Sequence, residues 1–311
     1  MNTDTRVFHG MFEIRHLVLL VFVVSAVYVN LRGSVRFSWP RALTDFTVLL
    51  APYNALMYLF SRVRARPYVD VKEFPELAVL QQHWHEIREE ALQLGEAGSI
   101  RAADGHVDIG FNSFFRTGWK RFYLKWYGDD LPSASALCPK TVKLLAGIPN
   151  VKAAMFASLP PGSRLVRHRD PYAGSLRYHL GLVTPNSPGC YIDVDGHRYH
   201  WRDGEAVMFD ETLIHYAENT TDQQRYILFC DVERPLASRA LTALNRWFAR
   251  VVMTMSATQN VEGEPIGALN RAFATIYKIR LAGKALKQRS RLAYYLLKWL
   301  LIAGLLYLIF F

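Results

Sequence analysis

The chain has 311 residues, of which 51% are hydrophobic, and it carries a formal net charge of +10. This length accommodates one large domain with appendages or two small domains. Its three cysteines are odd in number, widely spaced and without a CxxC pair, which excludes a disulfide framework and a cysteine zinc site and indicates a reducing compartment. The basic charge lacks the interleaved aromatic residues of a nucleic-acid-binding module, so no nucleic-acid partner is expected.

Two apolar segments lie near the N-terminus. The first, "HLVLLVFVVSAVYVNL" at 16–31, contains no Asp, Glu, Lys or Arg and approaches the roughly 20 apolar residues of a membrane-spanning helix. The second, "FTVLLAPYNALMYLF" at 46–60, is shorter and contains Pro52, so it fits a span, an in-plane helix or a buried core helix. We therefore assign residues 1–66 to an N-terminal membrane-associated region and leave the number of spans open.

A charged segment and a helix separate this region from the rest of the chain. Residues 61–74, "SRVRARPYVDVKEF", resemble a linker because they are charged and contain Pro67. Residues 75–97 have apolar spacing close to 3.6, with Pro75 at the start and Gly98 after the end, which predicts a helix.

Short strands follow from about residue 105 to 235, and we assign residues 67–235 to one domain with this β core. Asp195-Gly196 between two alternating segments predicts a hairpin. Many short strands at regular spacing predict a mainly β core of sandwich or jelly-roll type. The predicted strands are 121–128, 151–159, 163–170, 175–183, 190–201, 204–210 and 225–233.

Three side chains in this core have the composition of a metal site. His168 and Asp170 are two residues apart on a predicted strand, so they point to the same face. His215 follows the strand that ends at Asp210. Two imidazoles and one carboxylate on one face of a metal leave three open positions, which is the ligand set of non-haem Fe(II) oxygenases. A turn opened by Asp170 before Pro171 is the structural alternative.

Basic side chains on the neighbouring strands suit an anionic cosubstrate. Arg225 stands ten residues after His215, at the start of a predicted strand, and its planar guanidinium can hold a distal carboxylate of a 2-oxo acid. Arg177 and His179 alternate with apolar residues in "SLRYHLGL". This alternation predicts a polar face that lines the barrel interior, although pairing of Arg177 and His179 with nearby acids is equally compatible with it.

The C-terminal part is helical, basic and then apolar. Residues 236–290 form a predicted helical juxtamembrane region, and residues 291–311 form a C-terminal transmembrane or membrane-anchoring helix, in which the apolar run 292–311 has one charge, Lys298. Lys and Arg beside a span favour contact with an anionic leaflet and mark the cytoplasmic side. Six basic residues precede the span without an intervening acid: Lys278, Arg280, Lys284, Lys287, Arg289 and Arg291.

The stretch from Arg167 to Pro235 resembles the aspartyl/asparaginyl β-hydroxylase family of Fe(II)/2-oxoglutarate dioxygenases, and within it the bacterial lipid A 2-hydroxylases. The resemblance implies a double-stranded β-helix (a cupin-like jelly roll) flanked by helices, with hydrophobic membrane-associated helices at both termini. The motifs that carry it are "HRDPYAGSLRYHLGL", "VDGHRYHWRDGEAVMFDET", "IHYAENTTDQQRYILFCDVERP" and, more weakly, "GEPIGALNRAF".

The resemblance also implies roles for the site residues. It places iron on His168, Asp170 and His215, and 2-oxoglutarate on Arg225 with help from Arg177 and His179. Fe(II), 2-oxoglutarate and dioxygen are the expected cofactors, and ascorbate is a candidate reductant. The peptide-modifying branch has glycine in place of the carboxylate ligand, so Asp170 and the apolar termini favour the lipid branch.

The implied reaction is hydroxylation of C2 of a fatty acyl chain on lipid A or its Kdo-bearing precursor. It would take place at the bacterial inner membrane, with the catalytic domain facing the cytoplasm and the anionic inner leaflet, and without an obligate protein partner. Three alternatives stay open: a membrane-anchored peptide hydroxylase, a zinc hydrolase using the same three ligands, and a non-catalytic cupin-like membrane adaptor.

Overall fold

The structure is a computed structural model that describes residues 3–102, 108 and 110–310. The predicted start of the β core near residue 105 lies outside the described residues. The N-terminal region is helical, with α1 at Thr3–Leu31, α2 at Trp39–Thr44, a 3₁₀ segment at Phe46–Leu50 and α3 at Ala51–Leu59.

The barrel is preceded by a layer of short elements. The predicted linker contains strand β1, and the helix predicted over 75–97 is divided at His83, where φ is −104° and ψ is 20°. Residues on both sides of this break contact the turn at Gly204. Gln81 donates a hydrogen bond to the Gly204 carbonyl, and Trp84 packs against Gly204. The elements of this layer are β1 (Tyr68–Val69), α4 (Ala78–Gln82), α5 (Trp84–Glu96), α6 (Asn112–Phe115), β2 (Lys120–Trp126), β3 (Asp129–Asp130), α7 (Pro132–Leu137) and α8 (Pro139–Ala146).

Eight consecutive strands follow and, together with β1, β2 and β3, form two facing antiparallel sheets. Within the described residues the larger sheet has the order β1-β9-β6-β11-β4-β2-β3 and the smaller has the order β5-β10-β7-β8. Apart from the β7–β8 hairpin within the smaller sheet, successive strands from β4 to β11 pass from one sheet to the other. This is the winding of a jelly roll and confirms the predicted double-stranded β-helix. The strands are β4 (Val151–Leu159), β5 (Arg164–His168), β6 (Ser175–Val183), β7 (Cys190–Val194), β8 (His197–His200), β9 (Ala206–Phe209), β10 (His215–Asn219) and β11 (Arg225–Glu233).

Two local features show how the sequence specifies this barrel. The predicted hairpin joins β7 to β8, where Asp195 (φ 54°) and Gly196 (φ 85°) adopt the left-handed conformation that a tight two-residue turn needs. Strand β6 has polar and apolar faces as predicted, but residues 175–182 are all buried, because α5 covers the outer face of the sheet.

Helices also follow the barrel. They are α9 (Arg239–Phe248), a π-helical segment (Ala249–Met253), a 3₁₀ turn (Thr254–Ser256), α10 (Ala268–Arg289) and α11 (Arg291–Phe310). Two stretches in the described part of the chain are long and apolar enough to cross a membrane: Ile14–Leu31 in α1 and Arg291–Leu308, essentially all of α11. Residues 46–60 form the 3₁₀ segment and α3, and α3 packs against α1.

Candidate active site

His168, Asp170 and His215 converge between the two sheets. One ligand atom from each lies within 4.8 Å of the others. Sheet pairing brings the histidines together, because His168 at the end of β5 stands opposite His215 at the start of β10. Their ring centroids are 4.2 Å apart. The antiparallel register therefore joins residues that are 47 positions apart in the sequence.

Backbone carbonyls fix the orientation of both imidazoles. His168 Nδ1 lies 2.7 Å from the Val166 carbonyl oxygen, and His215 Nδ1 lies 2.9 Å from that of Leu213. A carbonyl only accepts, so each Nδ1 carries the proton and each Nε2 keeps its lone pair for a metal. Burial, with His168 close by, lowers the pKa of His215 to about 3, and burial also lowers the pKa of His168. Both rings are therefore neutral near pH 7.

Asp170 lies in the loop of residues 169–174 between β5 and β6, which we call the Asp170 loop. Its amide donates to the Glu211 carbonyl at 2.9 Å. Its Oδ2 accepts a hydrogen bond from Arg177, while its Oδ1 lies 3.7 Å from His168 Nε2. Burial alone would raise the pKa of Asp170, but Arg177 and the two histidines hold it below its usual value. The loop, rather than the strand alternation alone, thus directs this carboxylate toward the histidines.

Arg177 is surrounded by acids. Its Nη2 donates to Asp170 Oδ2 at 2.8 Å and pairs with Glu211, and its Nε donates to Asp231 Oδ1 at 2.9 Å. This arrangement matches the alternative in which Arg177 pairs with nearby acids. Sequence reasoning missed Glu211 and Asp231; their only signal was an acidic residue within the apolar motifs "MFDET" and "LFCDVE".

Arg225 and His179 lie at the same cavity without such partners. Both His179 nitrogens and Arg225 Nε are buried and have no hydrogen-bond partner among the described residues. The Arg225 guanidinium lies 4.3 Å from the Trp201 ring centroid, and burial lowers its pKa to about 10. Burial and the nearby Arg177 lower the pKa of His179 well below its usual value. An unpaired buried cation beside an unpaired imidazole fits a carboxylate ligand.

Aromatic side chains close the site on the remaining side. Phe114 of α6 lies 4.6 Å from the His168 ring, and Phe111 stacks on Trp119 at 4.8 Å between centroids. Together with the triad, Arg225 and His179, they line a cavity of about 30 Å³, which has room for one or two waters. The aromatic residues of "GFNSFFRTGWK" have the spacing of a helix face, which does not indicate a role at a binding site.

The chemistry of the donors fits a divalent transition metal. Two neutral imidazole nitrogens and one carboxylate oxygen converge without a cysteine or a second acid among the three, and this facial set suits Fe(II). Arg177 on Asp170 and the carbonyls on both histidines supply the outer contacts that orient metal ligands.

The chain is similar in sequence to known proteins. A sequence profile described as aspartyl/asparaginyl beta-hydroxylase matches residues 81–235. The chain is 33% identical over 205 residues to the ornithine lipid ester-linked acyl 2-hydroxylase of Rhizobium tropici, covering 65% of this chain and 73% of that enzyme. It is 27% identical over 187 residues to human aspartyl/asparaginyl beta-hydroxylase, covering 58% of this chain and 24% of the human protein.

A solved structure of a Pseudomonas putida prolyl-4-hydroxylase superposes with a TM-score of 0.34 and 16% identity, covering 50% of this chain and 88% of that one.

Proposed function

Because the chain belongs to the aspartyl/asparaginyl β-hydroxylase family, we propose that it is an Fe(II)- and 2-oxoglutarate-dependent dioxygenase that hydroxylates C2 of a fatty acyl chain on a membrane lipid. The observation that carries this proposal is the convergence of His168, Asp170 and His215 within 4.8 Å, in a cavity that Arg225 and His179 also line.

In this proposal the triad holds the metal through two Nε2 atoms and one carboxylate oxygen. Bound iron would supply the oxygen-activating chemistry that conversion of a C–H bond into a C–OH group requires, since no side chain can act as the oxidant. The protein's part is to keep both histidines neutral and oriented through their Nδ1 hydrogen bonds, and to hold Asp170 ionised against Arg177.

Arg225 and His179 are proposed to bind the distal carboxylate of 2-oxoglutarate. A buried guanidinium without an acidic partner is costly, and a carboxylate ligand would offset that cost. Arg177 is already paired with three carboxylates, so we assign it to the support of Asp170 and only indirectly to the cosubstrate. The use of ascorbate stays a prediction.

A lipid substrate is supported by three observations. The Rhizobium tropici relative is an acyl 2-hydroxylase of a lipid. The two stretches Ile14–Leu31 and Arg291–Leu308 are apolar enough to cross a membrane. The wall of Phe111, Phe114 and Trp119 offers an apolar surface next to the metal ligands. We propose lipid A, modified at the cytoplasmic face of the inner membrane, as the substrate, with ornithine lipid as the second candidate because of that relative.

Mass spectrometry of lipids tests the proposal. Lipid A and ornithine lipids would be compared from cells that lack the protein, express it, or express His215→Ala, with His197→Ala as the control because His197 is exposed. We expect an acyl chain with one extra oxygen in cells that express the wild type or His197→Ala, and in neither of the other two cell types. The class of lipid that gains the oxygen identifies the substrate.

Two outcomes would contradict the proposal. Unchanged lipids together with hydroxylated peptides would favour the peptide hydroxylase. Zinc in the purified protein, with no succinate released from 2-oxoglutarate, would favour the hydrolase.

A further inference from the structure

We propose that α3 and α9 together form a platform that lies along the membrane surface and seats the Asp170 loop next to the lipid. The platform is defined by the outward-facing residues Leu56, Leu59, Phe60, Leu244 and Trp247. The inference rests on the proposed membrane location of the enzyme, but it does not depend on the reaction.

The outer sides of both helices are apolar and exposed. In and directly after α3, Leu59 is 67% exposed and Phe60 is 42% exposed. In α9, Trp247 is 56% exposed and Leu244, three residues before it on the same face, is 36% exposed. Large apolar residues in such numbers on neighbouring helices mark an interaction surface rather than scattered exposure.

The inner sides of the same helices hold the Asp170 loop through two buried asparagines. Asn54 of α3 donates to the Pro171 carbonyl at 2.8 Å and accepts from the Ala173 amide at 3.0 Å. Asn245 of α9 donates to the Gly174 carbonyl at 3.0 Å. The loop that presents a proposed metal ligand is therefore one helix thickness, about 10 Å, from the outer side of the platform.

The two helices form one unit that continues into a candidate span. Phe248 of α9 stacks on Tyr53 of α3, with 4.3 Å between ring centroids. Met57 and Tyr58 of α3 lie in one apolar cluster with Val29 near the end of α1, and Leu241 of α9 packs against that cluster. The exposed apolar side thus begins where α1 would leave a bilayer.

Charge identifies a lipid surface as the occupant. Arg239 and Arg250 are exposed on the turns that flank the Leu244–Trp247 face. Amphipathic helices with Trp and Leu on one side and basic residues beside them lie in the plane of anionic membranes, where the basic residues are attracted to the surface. Trp at the level of the headgroups is typical of such contacts.

The test uses the full-length protein in vesicles of phosphatidylethanolamine and phosphatidylglycerol, with nitroxide labels on introduced cysteines. The three native cysteines are buried, so the label attaches to the new site. Platform sites are Leu59→Cys and Trp247→Cys, and Leu19→Cys in α1 is the reference for the bilayer interior. Arg202→Cys is the aqueous control, because Arg202 is exposed. It contacts Gly181, which is six residues beyond the start of β6. At the rise of a strand this places Arg202 about 20 Å from the Asp170 loop.

We expect labels 59 and 247 to collide more with oxygen than with a water-soluble nickel chelate, as label 19 does, while label 202 shows the reverse. Accessibility of labels 59 and 247 to the nickel chelate equal to that of label 202 would overturn the proposal. Protection of both platform labels from both reagents would indicate a second copy of the chain on this surface and would overturn it as well. The accessibility of the labels does not depend on turnover. If the platform labels are buried in lipid but the enzyme is inactive in a separate assay, only the proposed function is contradicted.

Discussion

Arg177 Nη2 lies 2.8 Å from Asp170 Oδ2, so a metal donor of the proposed site is held by a buried cation. The same guanidinium also pairs with Glu211 and Asp231, which lie deeper in the barrel. One arginine thus contacts three carboxylates, and the stability of the barrel and the position of Asp170 depend on the same side chain.

We therefore expect Arg177→Met to destabilise the protein strongly and to weaken metal binding. Removing one partner of a buried ion pair costs about 3–5 kcal/mol, which corresponds to a Tm decrease on the order of 10 °C for a protein of this size. Thermal unfolding in detergent and calorimetric titration with Mn(II) measure the two effects. Arg198→Met is the matched control, because Arg198 is largely exposed in its pairing with Asp193. An Arg177→Met protein as stable as this control would refute the supporting role.

Substitution of the triad should remove the metal without unfolding the barrel. His168→Ala, Asp170→Ala and His215→Ala each delete one of three donors, so we expect loss of stoichiometric metal and of 2-oxoglutarate-dependent succinate release. His197→Ala, at an exposed site, should retain both. Addition of a chelator to the wild type should reproduce the triad phenotype, and Fe(II) should reverse it. Full succinate release by any triad variant would exclude that residue as a ligand.

Arg225→Ala should chiefly raise the concentration of 2-oxoglutarate that the enzyme requires. A hydrogen bond to a charged group contributes about 1.5–3 kcal/mol, so the KM for 2-oxoglutarate should rise by about 10- to 150-fold. Arg225→Lys keeps the charge but not the planar fork, so it should restore part of the affinity. Arg202→Ala is the control, since Arg202 is exposed. A KM unchanged in Arg225→Ala would show that the cosubstrate carboxylate binds elsewhere.

The ion pairs of Asp210 should make stability depend on pH in the acidic range. Asp210 Oδ2 lies 2.5 Å from Arg32 Nη2 and 3.0 Å from Arg234 Nη2. Burial would raise the pKa of Asp210, but Arg234 and Arg32 together hold it far below the value of about 3.9 expected in the unfolded chain. A group whose pKa is lower in the folded than in the unfolded state stabilises the fold fully at pH values above its unfolded pKa. This contribution is lost as the pH falls toward the pKa of the folded state.

The measurement is the difference in Tm between the wild type and Asp210→Asn. We expect it to be constant from pH 7 to pH 5 and smaller at pH 3. The exposed Asp222→Asn, as control, should show little difference at any of these pH values. A wild-type advantage over Asp210→Asn that is the same at pH 3 and pH 7 would contradict the assignment of these pairs.

Local patterns in the sequence predicted the barrel well. Strands β4, β6 and β11 occupy the predicted ranges 151–159, 175–183 and 225–233, because alternation and turn residues are local signals. The Asp195-Gly196 turn, the family and the jelly-roll fold are confirmed as well. His168, Asp170 and His215 lie together as their combination suggested, although their roles stay proposals.

What the sequence did not predict depends on contacts between distant segments. Glu211 and Asp231 surround Arg177 only because β6 lies between β9 and β11 in the sheet. Asn54 lies in a helix that precedes the barrel strands in the sequence, and Asn245 lies in a helix that follows them. Neither residue stands in a recognisable motif. Phe114 reaches His168 from a short helix whose position tertiary packing determines.

The hydrogen bonds of Asn54 and Asn245 also affect which part of the chain can be transferred to another protein by recombination. One anchor of the Asp170 loop precedes the eight strands and the other follows them. Transfer of the strands alone into another polypeptide would leave behind both anchors of the loop that carries Asp170, a proposed metal donor, although the contacts of Asp170 with Arg177 and Glu211 would be kept. We therefore expect a transferable unit with an intact Asp170 loop to extend from Asn54 to Asn245, so its helical flanks should evolve together with the barrel.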